Sequence, residues 1–192
     1  MKSAAVSTAL AATLATSLAA TVVPNCSDVP KQSARIAGGT HGRYELVKLP
    51  GEQAPGVKDL DSGLVWKMCE EGMAWWSPSP RIPASCAIPP TAKSNSHSFD
   101  AGAALAADYG AWRLPTRDEL ESLLEKQGDG PTDAQIDPLF GPANDAQTFL
   151  SSTRCAPSQG VTTVGVVDFQ KGMLGWQRTD APGKVFVRLV RK

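Results

Sequence analysis

The stretch that decides the fold is Trp112-Arg113-Leu114-Pro115-Thr116-Arg117-Asp118-Glu119-Leu120. Pro115 keeps Leu114 out of the helical region of backbone angles, so the residues before it are extended and no helix passes through this point. Thr116 is suited to be an N-cap, because its hydroxyl accepts the backbone N–H of Glu119 while the Glu119 carboxylate accepts that of Thr116. The stretch therefore predicts an extended run that turns sharply into a capped helix.

The predicted helix behind this cap covers residues 117–126. Leu120, Leu123 and Leu124 recur at helical spacing and form one apolar face. Gly128 follows shortly after the last turn and is typical of a helix end. We expect this face to pack against the core.

Outside this stretch, the sequence predicts one further helix and a twisted antiparallel sheet. Ser98 has the chemistry to cap a short helix from Phe99 to about Asp108. Short apolar or alternating runs separated by Gly-containing turns are typical of strands and hairpins. Such runs cover residues 43–49, 57–60, 64–68, 148–153, 164–169, 173–177 and 185–190.

Composition indicates one exported domain. The chain has 192 residues, 42% of them apolar, and a formal net charge of zero, so bulk charge argues for neither a nucleic acid nor a membrane surface as partner. A basic start, an uncharged run and the site Ser17-Leu18-Ala19 predict a secretory signal peptide over residues 1–20. Residues 21–42 read as a loosely ordered lead-in. We expect a periplasmic, secreted or surface protein with no membrane span after signal cleavage.

The four cysteines predict disulfides, because an even number in an exported chain usually pairs. Cys69 ends a predicted strand and Cys86 closes a Pro-rich loop, so we predict the pair Cys69–Cys86. A second pair, Cys26–Cys155, would pin the lead-in to the sheet. Three other arrangements remain open: a Cys69–Cys155 pair, a Cys26–Cys86 pair, or a free Cys26 that serves an intermolecular link beside a buried Cys155.

Several runs resemble the DUF1566 domain, also called the Lcl C-terminal domain. Trp-Arg-Leu-Pro-Thr followed by Glu-Leu resembles the core signature of that family. Residues 57–69 resemble its first motif, with Ser62 where Thr is usual, and 148–153 resemble a later motif, with Leu150 where Trp is usual. The resemblance covers residues 43–192. The fold-motif residues are Trp66, Trp112, Arg113, Leu114, Pro115, Thr116, Glu119 and Leu120.

The same core run is similar to the Arg-Leu-Pro-Thr-x-x-Glu run of formylglycine-generating-enzyme-like proteins. Both groups have the C-type-lectin-like fold. The resemblance therefore implies an α+β domain over residues 43–192, with two main helices, a twisted antiparallel sheet and long loops. It also implies that Trp66 and Trp112 are core residues and that Arg113 and Glu119 form a structural pair.

Residues that catalysis requires are sparse. The histidines are His41 and His97, both in polar runs, and Cys155 stands alone where formylglycine-generating enzymes have a copper-binding cysteine pair. The acids of residues 129–145 match no EF-hand spacing and read as solvated loop residues. We expect no catalytic residue, no metal and no cofactor. An oxidase of the formylglycine-generating type and a structural subunit of a surface assembly remain the alternatives.

Candidate ligand-binding residues lie in predicted loops. Trp75 and Trp76 are suited to stack on a sugar or an apolar partner, or else they cover the disulfide loop. Arg154 is a further candidate. The C-terminal basic residues either attract an anionic glycan or face solvent: Lys171, Arg178, Lys184, Arg188, Arg191 and Lys192. Since the Lcl group is associated with adhesion and glycosaminoglycan binding, the resemblance implies a non-catalytic domain that binds a glycan or an envelope protein.

Overall fold

The fold is mainly β. A computed structural model describes residues 37–38, 42–77, 84–88, 97–105, 110–126, 134–140, 148–155 and 162–192; the predicted signal peptide lies outside them. In these parts of the chain the helices are short: α1 is Phe99–Leu105 and α2 is Arg117–Glu121. The expected α+β, C-type-lectin-like fold with two main helices is therefore wrong, because strands hold far more of the described residues than these two short helices do.

Twelve strands of the described residues form four small sheets. Their bounds are β1 Ala37–Gly38, β2 Tyr44–Val47, β3 Gly56–Asp59, β4 Val65–Lys67, β5 Ala74–Trp76, β6 Ser85–Ala87, β7 Leu124–Lys126, β8 Ala134–Ile136, β9 Thr148–Cys155, β10 Thr163–Asp168, β11 Met173–Arg178 and β12 Val190–Arg191. The strand orders are β12-β4-β3-β2, β11-β10-β9, β1-β7-β8 and β5-β6. All of these pairs are antiparallel except β1 with β7.

Two predicted hairpins are confirmed. Strands β3 and β4 pair across the loop 61–63, and β10 and β11 pair across the turn that contains Gly172. Gly63 and Gly172 have φ angles of 71° and 58°, in the left-handed region that only glycine enters at no steric cost. The turn chemistry was therefore readable from local sequence.

Helix α2 ends five residues before the predicted end. Ser122 is its C-cap, and the Ser122 hydroxyl donates to the Glu119 carbonyl at 2.7 Å. Leu124 then begins β7 and pairs with Ile136 of β8. The three leucines of the predicted face are fully buried. Their apolar pattern predicted burial correctly, but strand pairing rather than a continued helix buries Leu124.

The predicted capping box is present. Thr116 Oγ1 accepts the Glu119 N–H at 3.1 Å, and Glu119 Oε2 accepts the Thr116 N–H at 2.7 Å. Arg113 donates to both Glu119 carboxylate oxygens, at 2.7 and 2.8 Å, so the predicted structural pair is confirmed. Trp66 and Trp112 are core residues, as expected, and are 0% and 6% exposed.

The C-terminal segment 185–190 joins several elements. Every residue in it is buried, and strand β12 begins only at its last residue. Val185 bridges to His97 and Phe186 to Phe149, and Val190 bridges to Arg113. The predicted strand is therefore an extended segment whose backbone hydrogen bonds go to different neighbours in turn.

The predicted disulfide Cys69–Cys86 is confirmed. It fastens β6 to the chain that follows β4. Cys155 is fully buried and disulfide-bonded. Cys26 lies outside the described residues, so the pair Cys26–Cys155 stays a prediction.

We predict that Thr116→Ala lowers the free energy of unfolding by about 1 kcal/mol, because the variant loses the N-cap hydrogen bond. Thr116 is exposed, so the change leaves the core intact. Thr116→Ser is the control, since it keeps the hydroxyl and should retain most of the stability. Denaturant unfolding measures both, and an alanine variant as stable as the wild type would contradict the cap.

We predict that Glu119 makes stability depend on pH in the acid range. The hydrogen bond from Arg113 and those with Thr116 hold the pKa of the Glu119 carboxyl below its usual range, against the opposing effect of burial. A lowered folded-state pKa means that this stabilisation is complete above the unfolded pKa of about 4.3 and disappears as the pH falls through the folded pKa.

The stability difference between wild type and Glu119→Gln should therefore be largest near neutral pH and shrink as the pH falls from about 5 to about 3. Thermal melts across this range test it. Glu45→Gln, at an exposed glutamate, is the control. A difference that stays constant with pH would show that the carboxylate charge contributes nothing.

Candidate binding site

A cavity of about 280 Å³ lies between residues 49–55 and residues 67–75. This volume is close to the lower end of the range for small-molecule sites, roughly 300–1,000 Å³. Its lining combines apolar, aromatic and charged side chains: Leu49, Glu52, Ala54, Pro55, Lys67, Met68, Cys69, Glu70, Glu71, Gly72, Met73 and Trp75. The site therefore offers both an apolar wall and polar groups.

The expectation that Trp75 and Trp76 lie in a loop is wrong, because both belong to strand β5, which pairs with β6. Trp75 pairs with Cys86, and Trp76 pairs with Ser85. Because successive residues of a strand face opposite sides, Trp75 lies on the side of the disulfide and Trp76 on the other. Trp75 is half-buried and packs against the core, whereas Trp76 is 42% exposed. Of the two, Trp75 lines the cavity.

Fixed polar contacts surround the cavity. Glu52 Oε1 accepts the indole N–H of Trp112 at 2.9 Å. Lys67 Nζ lies 3.0 Å from Glu71 Oε1, and both side chains are largely buried. The Lys67 ammonium also lies 5.6 Å from the centre of the Trp112 ring. These contacts hold two carboxylates and one ammonium in place before any ligand arrives.

Arg188 binds residues that form one wall of the cavity, and it is 2% exposed. Its guanidinium donates to the carbonyls of Lys67 and Met68, and its Nη2 lies 3.4 Å from Glu70 Oε1. Burial lowers the pKa of Arg188, and the Glu70 carboxylate opposes that shift. The expectation that the C-terminal charges face solvent or a ligand is wrong for this residue.

The sequence contained a signal for the burial of Arg188. Phe186 and Val190 lie two positions before and after it, on the same face of an extended segment. Val187 and Leu189 occupy the other face, so the segment is apolar on both sides. An arginine in such a run is buried and must find acceptors inside the protein.

The structure separates two of the predicted basic residues, Lys171 and Arg178, along the sheet. Lys171 lies in the turn before β11 and Arg178 at the end of β11, so about 20 Å of strand separates them. Lys171 Nζ lies 3.6 Å from Asp168, and Arg178 forms an ion pair with Asp180 at 2.7 Å. Arg154 is exposed on β9. Their role in ligand binding stays a prediction.

Other chemistry-bearing residues have structural contacts. His97 is half-buried, and its Nε2 lies 3.2 Å from the Glu71 carbonyl oxygen, while His41 lies outside the described residues. Asp137 accepts the backbone N–H of Leu139. Within the described ranges, no three His, Cys, Asp or Glu side chains come together as metal ligands, and no helix has the length and apolar character to cross a membrane.

We predict that Arg188→Met costs about 3–5 kcal/mol of stability, because it removes one partner of a buried ion pair. Arg178→Met is the matched control, since the Arg178–Asp180 pair is exposed and should contribute little. Denaturant unfolding gives both values. The expectation fails if the two substitutions cost the same. The double variant Arg188→Met/Glu70→Leu should recover part of the loss.

Comparison with known proteins gives one family match. The family model described as the Lcl C-terminal domain matches residues 56–191, a span that contains the disulfide, the capped helix, the C-terminal segment and the cavity wall of residues 67–75. The other cavity wall, residues 49–55, lies just before the matched span. No curated protein and no solved structure matches the chain, so the relation to C-type lectins and formylglycine-generating enzymes is not confirmed. The match covers well over half of the sequence, and the chain belongs to the Lcl C-terminal domain family.

Proposed function

We propose that this chain is an exported, non-catalytic binding domain of the cell envelope that takes a glycan in the cavity beside Trp75. The observation that carries the proposal is the combination of an aromatic wall with fixed carboxylates and an ammonium in one cavity of about 280 Å³. An adhesin-like role at the cell surface is the setting that we infer for this binding.

The chemistry of the lining suits a sugar unit. A pyranose has apolar C–H faces and a rim of hydroxyl groups. The indole of Trp75 offers a flat apolar surface to such a face. The carboxylates of Glu52 and Glu71 accept hydrogen bonds from hydroxyls, and the Lys67 ammonium donates them. A cavity of this volume suits one terminal sugar better than an extended chain.

Preorganisation supports binding at this place. The disulfide anchors the strand that carries Cys86, and Trp75 pairs with that residue. Lys67 and Glu71 hold each other at 3.0 Å, so ligand binding does not need to order them. Since the ordering of side chains opposes association, groups that are already fixed lose less entropy when the ligand binds.

The cysteines support the export part of the proposal. Cys69–Cys86 is a disulfide, and Cys155 is also disulfide-bonded. Disulfides persist in oxidising compartments such as the periplasm and the cell exterior, and they are rare in the cytosol. This agrees with the signal peptide predicted over residues 1–20.

A glycan array and a panel of matrix proteins, probed with the mature protein with and without calcium, test the proposed ligand class. We expect at least one glycan to bind. For that glycan, Trp75→Ala should weaken binding at least about tenfold, while Trp76→Ala, at the neighbouring exposed tryptophan, should leave it nearly unchanged. Binding is measured by calorimetry after a thermal melt has established that each variant is folded.

A second variant keeps the test decisive if Trp75→Ala unfolds. Glu52→Gln keeps an oxygen acceptor for the Trp112 indole but replaces a charged acceptor by a weaker neutral one, so it should reduce binding without unfolding the protein. Binding to proteins alone would overturn the glycan assignment. Equal losses for Trp75→Ala and Trp76→Ala would place the ligand elsewhere.

A further inference from the structure

We propose that Arg117 and Trp176 form a second binding site, which takes a carboxylate group of a ligand. The site lies where the start of α2 meets the sheet β11-β10-β9, and the cavity beside Trp75 uses none of its residues. The proposal does not depend on what that cavity binds.

Three contacts fix Arg117 over the sheet. Its backbone N–H donates to Thr153 Oγ1 at 2.9 Å. Its side chain crosses β10 at Gly165, where an added Cβ would lie 3.2 Å from Arg117 Cδ and 2.9 Å from Ser151 Oγ. Glycine at this position therefore makes room for the arginine. The Arg117 guanidinium carbon lies 4.7 Å from the centre of the Trp176 ring, so the cation stacks over the indole.

The pair has hydrogen-bond donors without acceptors. Arg117 Nε and Trp176 Nε1 are both buried and have no hydrogen-bond partner. Buried donors without acceptors cost free energy, and each such group in a folded protein requires an explanation. The inner nitrogen of the Arg117 cation therefore has no acceptor, and only the terminal nitrogens of its guanidinium are open to a ligand.

The charge of Arg117 is also unbalanced locally. Arg43, Arg113, Arg178 and Arg188 each form an ion pair with a carboxylate. In the described parts of the chain, no carboxylate lies within ion-pair distance of Arg117. The residue as a whole is half-buried, and its terminal nitrogens are not among the buried unpaired atoms, so solvent reaches them.

The geometry suits a carboxylate. A guanidinium presents two parallel N–H groups along one planar edge, which match the two oxygens of a carboxylate. Stacking on Trp176 and the contact with Gly165 already restrict the rotation of the Arg117 side chain. The group is therefore preorganised, and a ligand gains the ion pair without ordering a flexible arginine.

The experiment titrates sodium acetate into the ¹⁵N-labelled mature protein, with sodium chloride added to keep ionic strength constant. The five tryptophans give five indole N–H signals, and Trp176→Phe identifies that of Trp176. We expect saturable shifts of the Trp176 indole and Arg117 Nε–H signals. Methyl sulfate at the same concentrations is the comparison anion.

Two substitutions locate the effect. Arg117→Gln should weaken the acetate response of Trp176 at least about tenfold, and Arg117→Lys, which keeps the charge but lacks the planar edge, should also weaken it. Arg154→Gln is the control, since Arg154 is an exposed arginine on β9 and should leave the response unchanged. The other four indole signals establish that each variant is folded.

The results of the titration either support the Arg117–Trp176 site or overturn it. Shifts that saturate with acetate and disappear in Arg117→Gln support the site. The proposal is overturned if no signal shifts, if sodium chloride alone gives the same shifts, if Arg117→Gln responds like the wild type, or if only methyl sulfate binds.

Discussion

A buried guanidinium is the constraint on which the rest of this domain depends. Arg188 is 2% exposed, and a charge in that position is stable only when acceptors surround it. Its acceptors are the carbonyls of Lys67 and Met68 and the carboxylate of Glu70. The chain after β4 must therefore run beside the C-terminal segment, and the backbone bonds from Lys67 to Leu189 and from Glu71 to Val187 follow the same path.

The same path forms one wall of the cavity. Four residues contact Arg188 or the C-terminal backbone and also line the cavity: Lys67, Met68, Glu70 and Glu71. Trp112 lies against this wall and the C-terminal strand, since the Lys67 ammonium and the Arg191 guanidinium lie 5.6 and 4.6 Å from its ring centre. It precedes the capped helix in the same extended stretch. Pro115 extends the connection, because its carbonyl accepts the Ser152 N–H of β9 at 2.7 Å. The proline-containing stretch thus joins helix, sheet and cavity wall.

The helix cap and the hairpin turns were predictable from the sequence, whereas the pairing of strands distant in sequence was not. The capping box depends on residues three apart, and the hairpin turns depend on single glycines, so short-range patterns predicted both. The end of α2 was missed because Leu124 is buried by pairing with Ile136, twelve residues further along. The helical content expected from the resemblance was wrong for the same reason. Residues whose local pattern predicts a helix pair instead with a strand that lies further along the chain.

The sequence predicted residues of the candidate site but not which of them face the cavity, because that depends on strand pairing. The sequence identified Trp75, Trp76 and the disulfide that closes their loop, but only the register of β5 with β6 decides which tryptophan faces the cavity. Arg117 and Trp176 were not paired in advance, because 59 positions separate them and only the passage of Arg117 over Gly165 brings them together. Adjacent residues of a strand diverge, while residues far apart meet across a sheet.

The disulfide makes one wall of the cavity depend on redox conditions. Strands β5 and β6 form a two-stranded sheet that pairs with no other described strand. An isolated hairpin of this kind is marginally stable in water, so its position depends on what fastens it. Cys86 is the cross-strand neighbour of Trp75. Its bond to Cys69 joins the hairpin to the residues at the end of β4 whose carbonyls bind Arg188. Reduction would remove the covalent attachment of β6 to Cys69, while the other sheets keep their own hydrogen bonds. The position of Trp75 in the cavity wall therefore depends on a bond that forms and persists in an oxidising environment.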